Sequence, residues 1–256
     1  AATYDYRIGR EWKTLADTTN DPVIALRRAI PWTTWQRSED YYSEGQLVWL
    51  DVDTLLRELS GGKKSLDDFA KAFHGVNDGS WIPVTYTLND VARVLNGVQR
   101  HDWMKLLRAR LESHGPGAPL DGITRGGYKL VYTDTPTGYF KDVEARGRNT
   151  NLAYSLGMVV GREGRLTDVR WGGPAHSAGI SIGMQIIAVN GTAYDADKLK
   201  TAIKNAKGGK EPVTLLMKSG DDYTTVPIDY HEGLRYPRLE RIEGTPDRLS
   251  EIFAAK

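Results

Sequence analysis

The chain has 256 residues, of which 40% are hydrophobic and 26% charged, with a formal net charge of +1. That length allows one large or two ordinary domains, each with its own core, and the near-neutral balance gives no reason to expect nucleic acid or an acidic membrane as a partner. The absence of cysteine excludes a disulfide framework and a thiolate metal site, and the apolar runs fall far short of the roughly 20 residues that span a bilayer.

The opening "AATYDYRIGREW" has no signal-peptide layout, and without an initiator Met the chain is expected to begin within a longer protein. Residues 10–40, rich in Trp and Pro, read as irregular packing. In "YYSEGQLVWLDVDTLLREL" (41–59), Val48, Val52, Leu55 and Leu59 recur at helical spacing, and Leu47, Leu50 and Leu56 widen the apolar face. Asp53 and Arg57 make an i,i+4 pair on the other side, and Asp51 with Asp53, two residues apart, reads as a solvated face. Gly61-Gly62 ends this helix. Ser65 with Asp68, and Thr87 with Asp90, have capping-box spacing for the next two helices, the first closed by Gly75. Asp102 can cap "WMKLLRARLESH", which stops at Gly115, so the first part reads as a bundle of about four helices.

The Pro/Gly stretch "SHGPGAPLDG" (113–122) is the expected boundary, with six of the seven Trp before it. Beyond it the period changes. "GGYKLVYTD" (126–134) alternates as a strand. Further on, Pro174 suits the first turn of a short helix, Gly179 a left-handed cap, and Ile186, Ile187 and Val189 a strand that ends in an Asn190-Gly191 turn. Asp195 caps a helix with Leu199, Ala202, Ile203 and Ala206 on one face, and residues 212–230 form a hairpin across Ser219 to Asp222.

"GGPAHSAGISIGMQIIAVNG", with the helix and hairpin after it, resembles a PDZ domain. The resemblance implies binding of an extended peptide, often a chain terminus, as a strand added to a sheet edge. On that basis Leu156, Gly157 and Met158 form the carboxylate loop, Met158, Val159 and Val160 the receiving strand, and Ala196, Lys200 and Ile203 the helical wall of the groove. Ala196 stands where many such helices carry His, so no preference for a Ser or Thr ligand side chain is implied. The competing expectation is a groove unused or filled by the protein's own chain.

Over nearly all its length the chain is similar to the C-terminal half of the glycyl aminopeptidase family of zinc metallopeptidases. The similarity runs through "DYYSEGQLVWLDVDTLLRELSGGKKSLDDFAKAFHG", "YTLNDVARVLNGV", "PLDGITRGGYKLVYTD", the PDZ-like segment and "GLRYPRLERIEGTPDRLSEI". It implies an α+β fold: an all-α helical subdomain over 1–120, a PDZ-like partly open β-barrel with capping helices over 121–235, and a tail over 236–256. In the family the H-E-x-x-H helix and the Glu that completes the zinc site lie upstream of the point where this chain begins. His74, His101, His114, His176 and His231 never occur at i,i+4, so no metal site is expected here, and Glu44 is not expected to be a ligand.

Tyr42-Ser43-Glu44-Gly45 has the Y-x-x-G form in which, in related peptidases, the Tyr hydrogen-bonds the oxyanion of the tetrahedral intermediate. Tyr42 is therefore the candidate catalytic residue, with Tyr41 or a purely structural aromatic as alternatives. A neutral phenol suits that role, because a group with a pKa about 10 stays protonated at working pH. The resemblance thus implies a fragment of a zinc aminopeptidase acting on small N-terminal residues, with no cofactor in this chain and zinc in the parent protein. Its partners would be a peptide substrate or peptide C-terminus, with a periplasmic or envelope setting. The alternative is a stand-alone peptide-binding or scaffold module.

Overall fold

The computed structural model describes residues 1–28 and 30–254. The N-terminal stretch is irregular, with one-turn helices α1 (Ala2–Asp5), α2 (Asp21–Ile24) and α3 (Thr33–Gln36). The first long helix, α4 (Ser43–Leu59), buries Leu47, Val48, Val52 and Leu56 along one face. Gly62, at φ +81, closes it through a bond from its N–H to the Arg57 carbonyl (2.7 Å). Both α5 (Leu66–His74) and α6 (Leu88–Val98) start with a complete capping box, Ser65 with Asp68 and Thr87 with Asp90. Asp102 caps α7 (Trp103–Leu111), which ends four residues before Gly115, and α8 (Asp121–Arg125) is a single short turn.

β1 (Tyr128–Thr133) opens the β-rich part. It is followed by α9 (Gly138–Gly147), which the sequence pattern did not reveal, and by β2 (Thr150–Leu152), β3 (Met158–Val160) and β4 (Leu166–Val169). Pro174 opens α10 (Pro174–Ser177), and β5 (Gln185–Val189) turns through Asn190-Gly191, both at positive φ, into β6 (Thr192–Ala193). Asp195 caps α11 (Ala196–Asn205), and β7 (Val213–Ser219) pairs with β8 (Asp222–Ile228) in the expected Ser219-to-Asp222 hairpin. β9 (Tyr236–Arg241) and α12 (Arg248–Phe253) complete the chain.

The sheets run β2-β3-β4, β6-β5-β7-β8 and β1-β9. The first two meet at a seam where Leu166 bonds the backbones of Met184 (2.8 Å) and Gly183 (2.9 Å). None of these sheets closes into a barrel; the β-rich part is open, and the fold is the α+β arrangement expected.

Two compact units emerge: Ala1–Ile30, Gln36–Lys129 and Glu240–Lys256 in one, Pro31–Trp35 and Leu130–Leu239 in the other. The helical unit centres on Val52, Leu56, Phe69, Leu95, Trp103 and Leu107, and the β unit on Leu152, Leu156, Met158, Ile186, Leu199, Ile203 and Leu215. These bounds differ from the sequence partition at both ends, for local reasons. Gly122 lies so close to α4 that an added Cβ would sit 2.6 Å from the Asp51 nitrogen. The N–H groups of Ile242 and Leu249 bond the carbonyls of Gly127 and Gly126 (2.8 and 3.0 Å), so the terminal stretch folds onto the helical unit. Residues 31–35 belong instead to the β unit. Trp32 and Trp35 pack on Trp171 (ring centroids 5.3 Å in both cases), and the Trp171 N–H bonds the Thr34 hydroxyl (3.0 Å). Among the described residues, no helix is long and apolar enough to cross a membrane.

Candidate functional site

The head of α4 places Tyr42 at the helix N-cap, with its side chain 62% exposed. Its ring lies against Tyr41 (centroids 4.5 Å). Desolvation first, and then the neighbouring Tyr42 phenol and Glu39, hold the Tyr41 phenol above its ordinary range. Tyr41 packs at the edge of the helical core. An added Cβ at Gly45 would meet no atom within 4 Å, so the first turn beside Tyr42 presents an open surface.

Beneath this turn lies a chain of buried charges. Glu44 is fully buried, one carboxylate oxygen paired with Arg10 and the other with Arg37 Nη2 (2.6 Å). Arg37, also fully buried, donates from Nε to Asp40 (2.9 Å) and from Nη1 to the Lys13 carbonyl (2.7 Å), while Arg7 pairs with the other Asp40 oxygen. Each Glu44 oxygen is thus paired with one guanidinium group. The clamp fixes the start of α4, because Glu44 is its second residue and cannot move without unpairing buried charge.

The expectation that Asp51 and Asp53 form a solvated face is corrected. Asp51 is fully buried between Arg110 (2.7 Å) and Arg125, and Asp53 accepts from Arg57 (3.2 Å) and from the Leu66 N–H (2.7 Å). No group of three or more His, Asp or Glu among the described residues could hold a metal ion.

The second candidate site is the strand–helix groove of the β unit. Gly157 has φ +77, and Leu156 and Gly157 are held from behind by bonds from the N–H groups of Ala175 and Arg170 to their carbonyls (2.9 and 2.7 Å). Leu156, Met158, Val160 and Ile203 are buried in one core, while Val159, Ala196 and Lys200 are half-buried. The structure therefore brings together the sequence-derived groove residues. It does not leave the receiving strand open: one edge of β3 pairs with β4, and the other with β2, in the register Thr150 to Val160, Asn151 to Val159 and Leu152 to Met158.

Of the two expectations for Met158–Val160, an open edge and a groove filled by the protein's own chain, the pairing of β2 with β3 matches the second. The physical reason is proximity along the chain, since a five-residue connection, 153–157, brings β2 back with little loop-closure cost. Sequence reasoning missed the groups that hold β2. The Glu144 carboxylate accepts the Asn151 N–H (2.6 Å) and lies 3.8 Å from Lys200 Nζ. The Tyr194 phenol, raised above its ordinary range mainly by burial, has the Thr150 side chain beside it. Neither contact has a local signature, because each joins residues on different elements.

No family model and no curated protein matches the chain by sequence. Among solved structures, it superposes on an aminopeptidase N family protein from Idiomarina loihiensis with a TM-score of 0.70 and 17% identity, over 99% of this chain and 43% of that one. A PDZ domain of HtrA3 bound to a phage-derived ligand also matches, with a TM-score of 0.23 and 18% identity, over 44% of this chain and 91% of that domain. The fold, helical unit and β unit together, is therefore shared with a protein of the aminopeptidase N family, of whose length this chain spans less than half.

Proposed function

We propose that the chain is the C-terminal part of a zinc aminopeptidase of the glycyl aminopeptidase type, which removes small N-terminal residues from peptides, and that the β unit is its peptide-binding module. The observation that carries this reading is the fold shared over 99% of the chain with an aminopeptidase N family protein. It is supported locally by an exposed phenol at the head of α4, in the Y-x-x-G setting, above a rigid pair of guanidinium–carboxylate bridges.

In peptide-bond hydrolysis, negative charge develops on the carbonyl oxygen as the tetrahedral intermediate forms. Tyr42 is the residue of this chain suited to donate a hydrogen bond to that oxygen, and the Arg10–Glu44–Arg37 clamp is the device that holds its helix in place. Among the described residues no group of three His, Asp or Glu could hold zinc. In this reading its ligands and the general base come from residues outside this chain. A stand-alone binding module is the other reading; the fold shared over 99% of the chain, helical part included, favours the peptidase.

The test is to assay the longer protein containing this chain with the p-nitroanilides of Gly, Ala, Leu and Phe. Preferential release of Gly and Ala is expected. A longer protein that hydrolyses none of the four, while folded and metal-loaded, overturns the peptidase reading.

A further inference from the structure

The strand–helix groove already contains an extended segment with the features of a ligand. The Leu152 carbonyl accepts the N–H groups of Ser155 (3.0 Å) and Gly157 (2.9 Å), so the loop assigned to a terminal carboxylate is engaged by a main-chain oxygen. The Leu152 side chain is fully buried in the core that contains Leu199 and Ile203, and two residues earlier Thr150 is buried as well, near Tyr194. Between them the Asn151 N–H points away from β3 to Glu144, which also lies beside Lys200 of the groove helix. The outward side of β2 is therefore capped at Asn151. The helix that supplies Glu144 is lightly held: α9 has no fully buried residue, and Phe140 docks it on Tyr236 (5.1 Å) and Tyr154 (6.3 Å).

We propose that Thr150-Asn151-Leu152 is a displaceable internal ligand of the groove, latched by Glu144, and that an external peptide ending in this same Thr-Asn-Leu sequence competes for its place. This rests on the peptide-binding reading of the β unit. The internal strand and such a terminus place the same side chains in the same positions. They differ at the loop, where a free carboxylate offers the N–H donors a charged acceptor in place of an amide carbonyl. The external peptide binds only the fraction of molecules in which β2 has left, so its apparent affinity is lowered by that fraction.

The test uses the full chain and a fluorescent peptide ending in Arg-Asn-Thr-Asn-Leu, with a free or an amidated terminus, followed by fluorescence anisotropy. Glu144→Ala removes both latch contacts, while Glu144→Gln keeps an acceptor for the Asn151 N–H and loses the charge beside Lys200. The expected order of affinity is Ala above Gln above wild type, with a gain of at least about ten-fold for Ala, and weaker binding of the amidated peptide throughout. Amide hydrogen exchange on the wild-type chain gives an independent readout. The amides of 150–152 should exchange before those of β5 and β7.

Tight binding to the wild type with no gain on Glu144→Ala overturns the internal ligand and leaves peptide binding intact. Exchange of 150–152 only together with β5 and β7 makes β2 an integral strand and overturns it as well. Early exchange of 150–152 with no peptide bound by any variant rejects the peptide-binding reading itself, and the proposed external ligand falls with it.

Discussion

At the head of α4 the proposed donor is a side chain, Tyr42, left exposed while Glu44 and Arg37 below it are buried and paired. In the groove the groups that would bind are main-chain donors and acceptors, and the protein's own β2 already uses them. The difference follows from what each site is made of. A side chain can project from a finished helix with every backbone bond satisfied. A strand edge is an unfinished hydrogen-bond ladder, and a nearby segment of the same chain completes it at little entropic cost. The first site is ready for a partner as folded, and the second has to be vacated.

The rigid support under Tyr42 can be broken at Arg37. Arg37→Met leaves Glu44 and Asp40 each short of one cation in a buried setting, where removing one partner of an ion pair costs about 3–5 kcal/mol. Urea denaturation should show that loss, and Arg37→Met with Glu44→Met should be less destabilised than the two single losses added together. Strict additivity would mean that the clamp is not a coupled unit.

Tyr42→Phe in the longer protein sharpens the comparison at the level of function. If the phenol acts in the transition state, kcat falls roughly 10²- to 10³-fold, or about 2.7–4 kcal/mol, with stability nearly unchanged because the side chain is exposed. Tyr41→Phe is the matched control. A Tyr42→Phe enzyme retaining more than about a third of wild-type kcat removes the role from Tyr42, and a large loss on Tyr41→Phe instead transfers it to Tyr41.

What was legible in the sequence was local. Capping boxes at Ser65 and Thr87, Pro174 at a helix start and the Asn190-Gly191 turn depend on residues within a few positions of one another, and each formed as read. The corrections lie where partners are distant in sequence. Asp51 looked solvated because Arg110 and Arg125, which neutralise it, lie 59 and 74 residues further on. The segment 135–153 gave no signal because α9 has no fully buried residue and so no apolar face to recognise. That silence hid β2. The resemblance proposed the groove walls from residues near one another in sequence, and the strand now paired with β3 had no pattern of its own.

Two glycines contrast the regions at a smaller scale. At Gly157, φ is +77 and an added Cβ would lie 3.4 Å from both the Arg170 Cβ and the Gly173 Cα, so Gly157→Ala should destabilise by about 1–2 kcal/mol. Gly45 is helical with open space around it, and Gly45→Ala should stabilise by about 0.5–1 kcal/mol. Urea midpoints moving in opposite directions support the contrast; a shift in the same direction for both would remove it.

The smallest expected effect is a pH dependence at the far end of the groove helix. His231 Nδ1 lies 2.9 Å from the Ala206 carbonyl, at the C-cap of α11, and Nε2 lies 2.7 Å from Asp229. Both partners are acceptors, so both favour the doubly protonated ring. The Ala206 carbonyl first, and then Asp229, raise the imidazole above its ordinary 6.5. The sign follows: a folded-state pKa raised above the unfolded value gives stabilisation that is fully present below 6.5 and is lost as pH rises through the higher folded value. Wild-type stability should therefore decline modestly above neutral pH relative to His231→Asn, and the amides of the last turn of α11 should exchange faster there once intrinsic rates are corrected for. The residue is at the surface, so salt should shrink the difference without reversing its sign. Parallel pH profiles for wild type and His231→Asn would show that the ring does not hold the helix end, and the stability of the groove wall would then rest on Leu199, Ala202 and Ile203 alone.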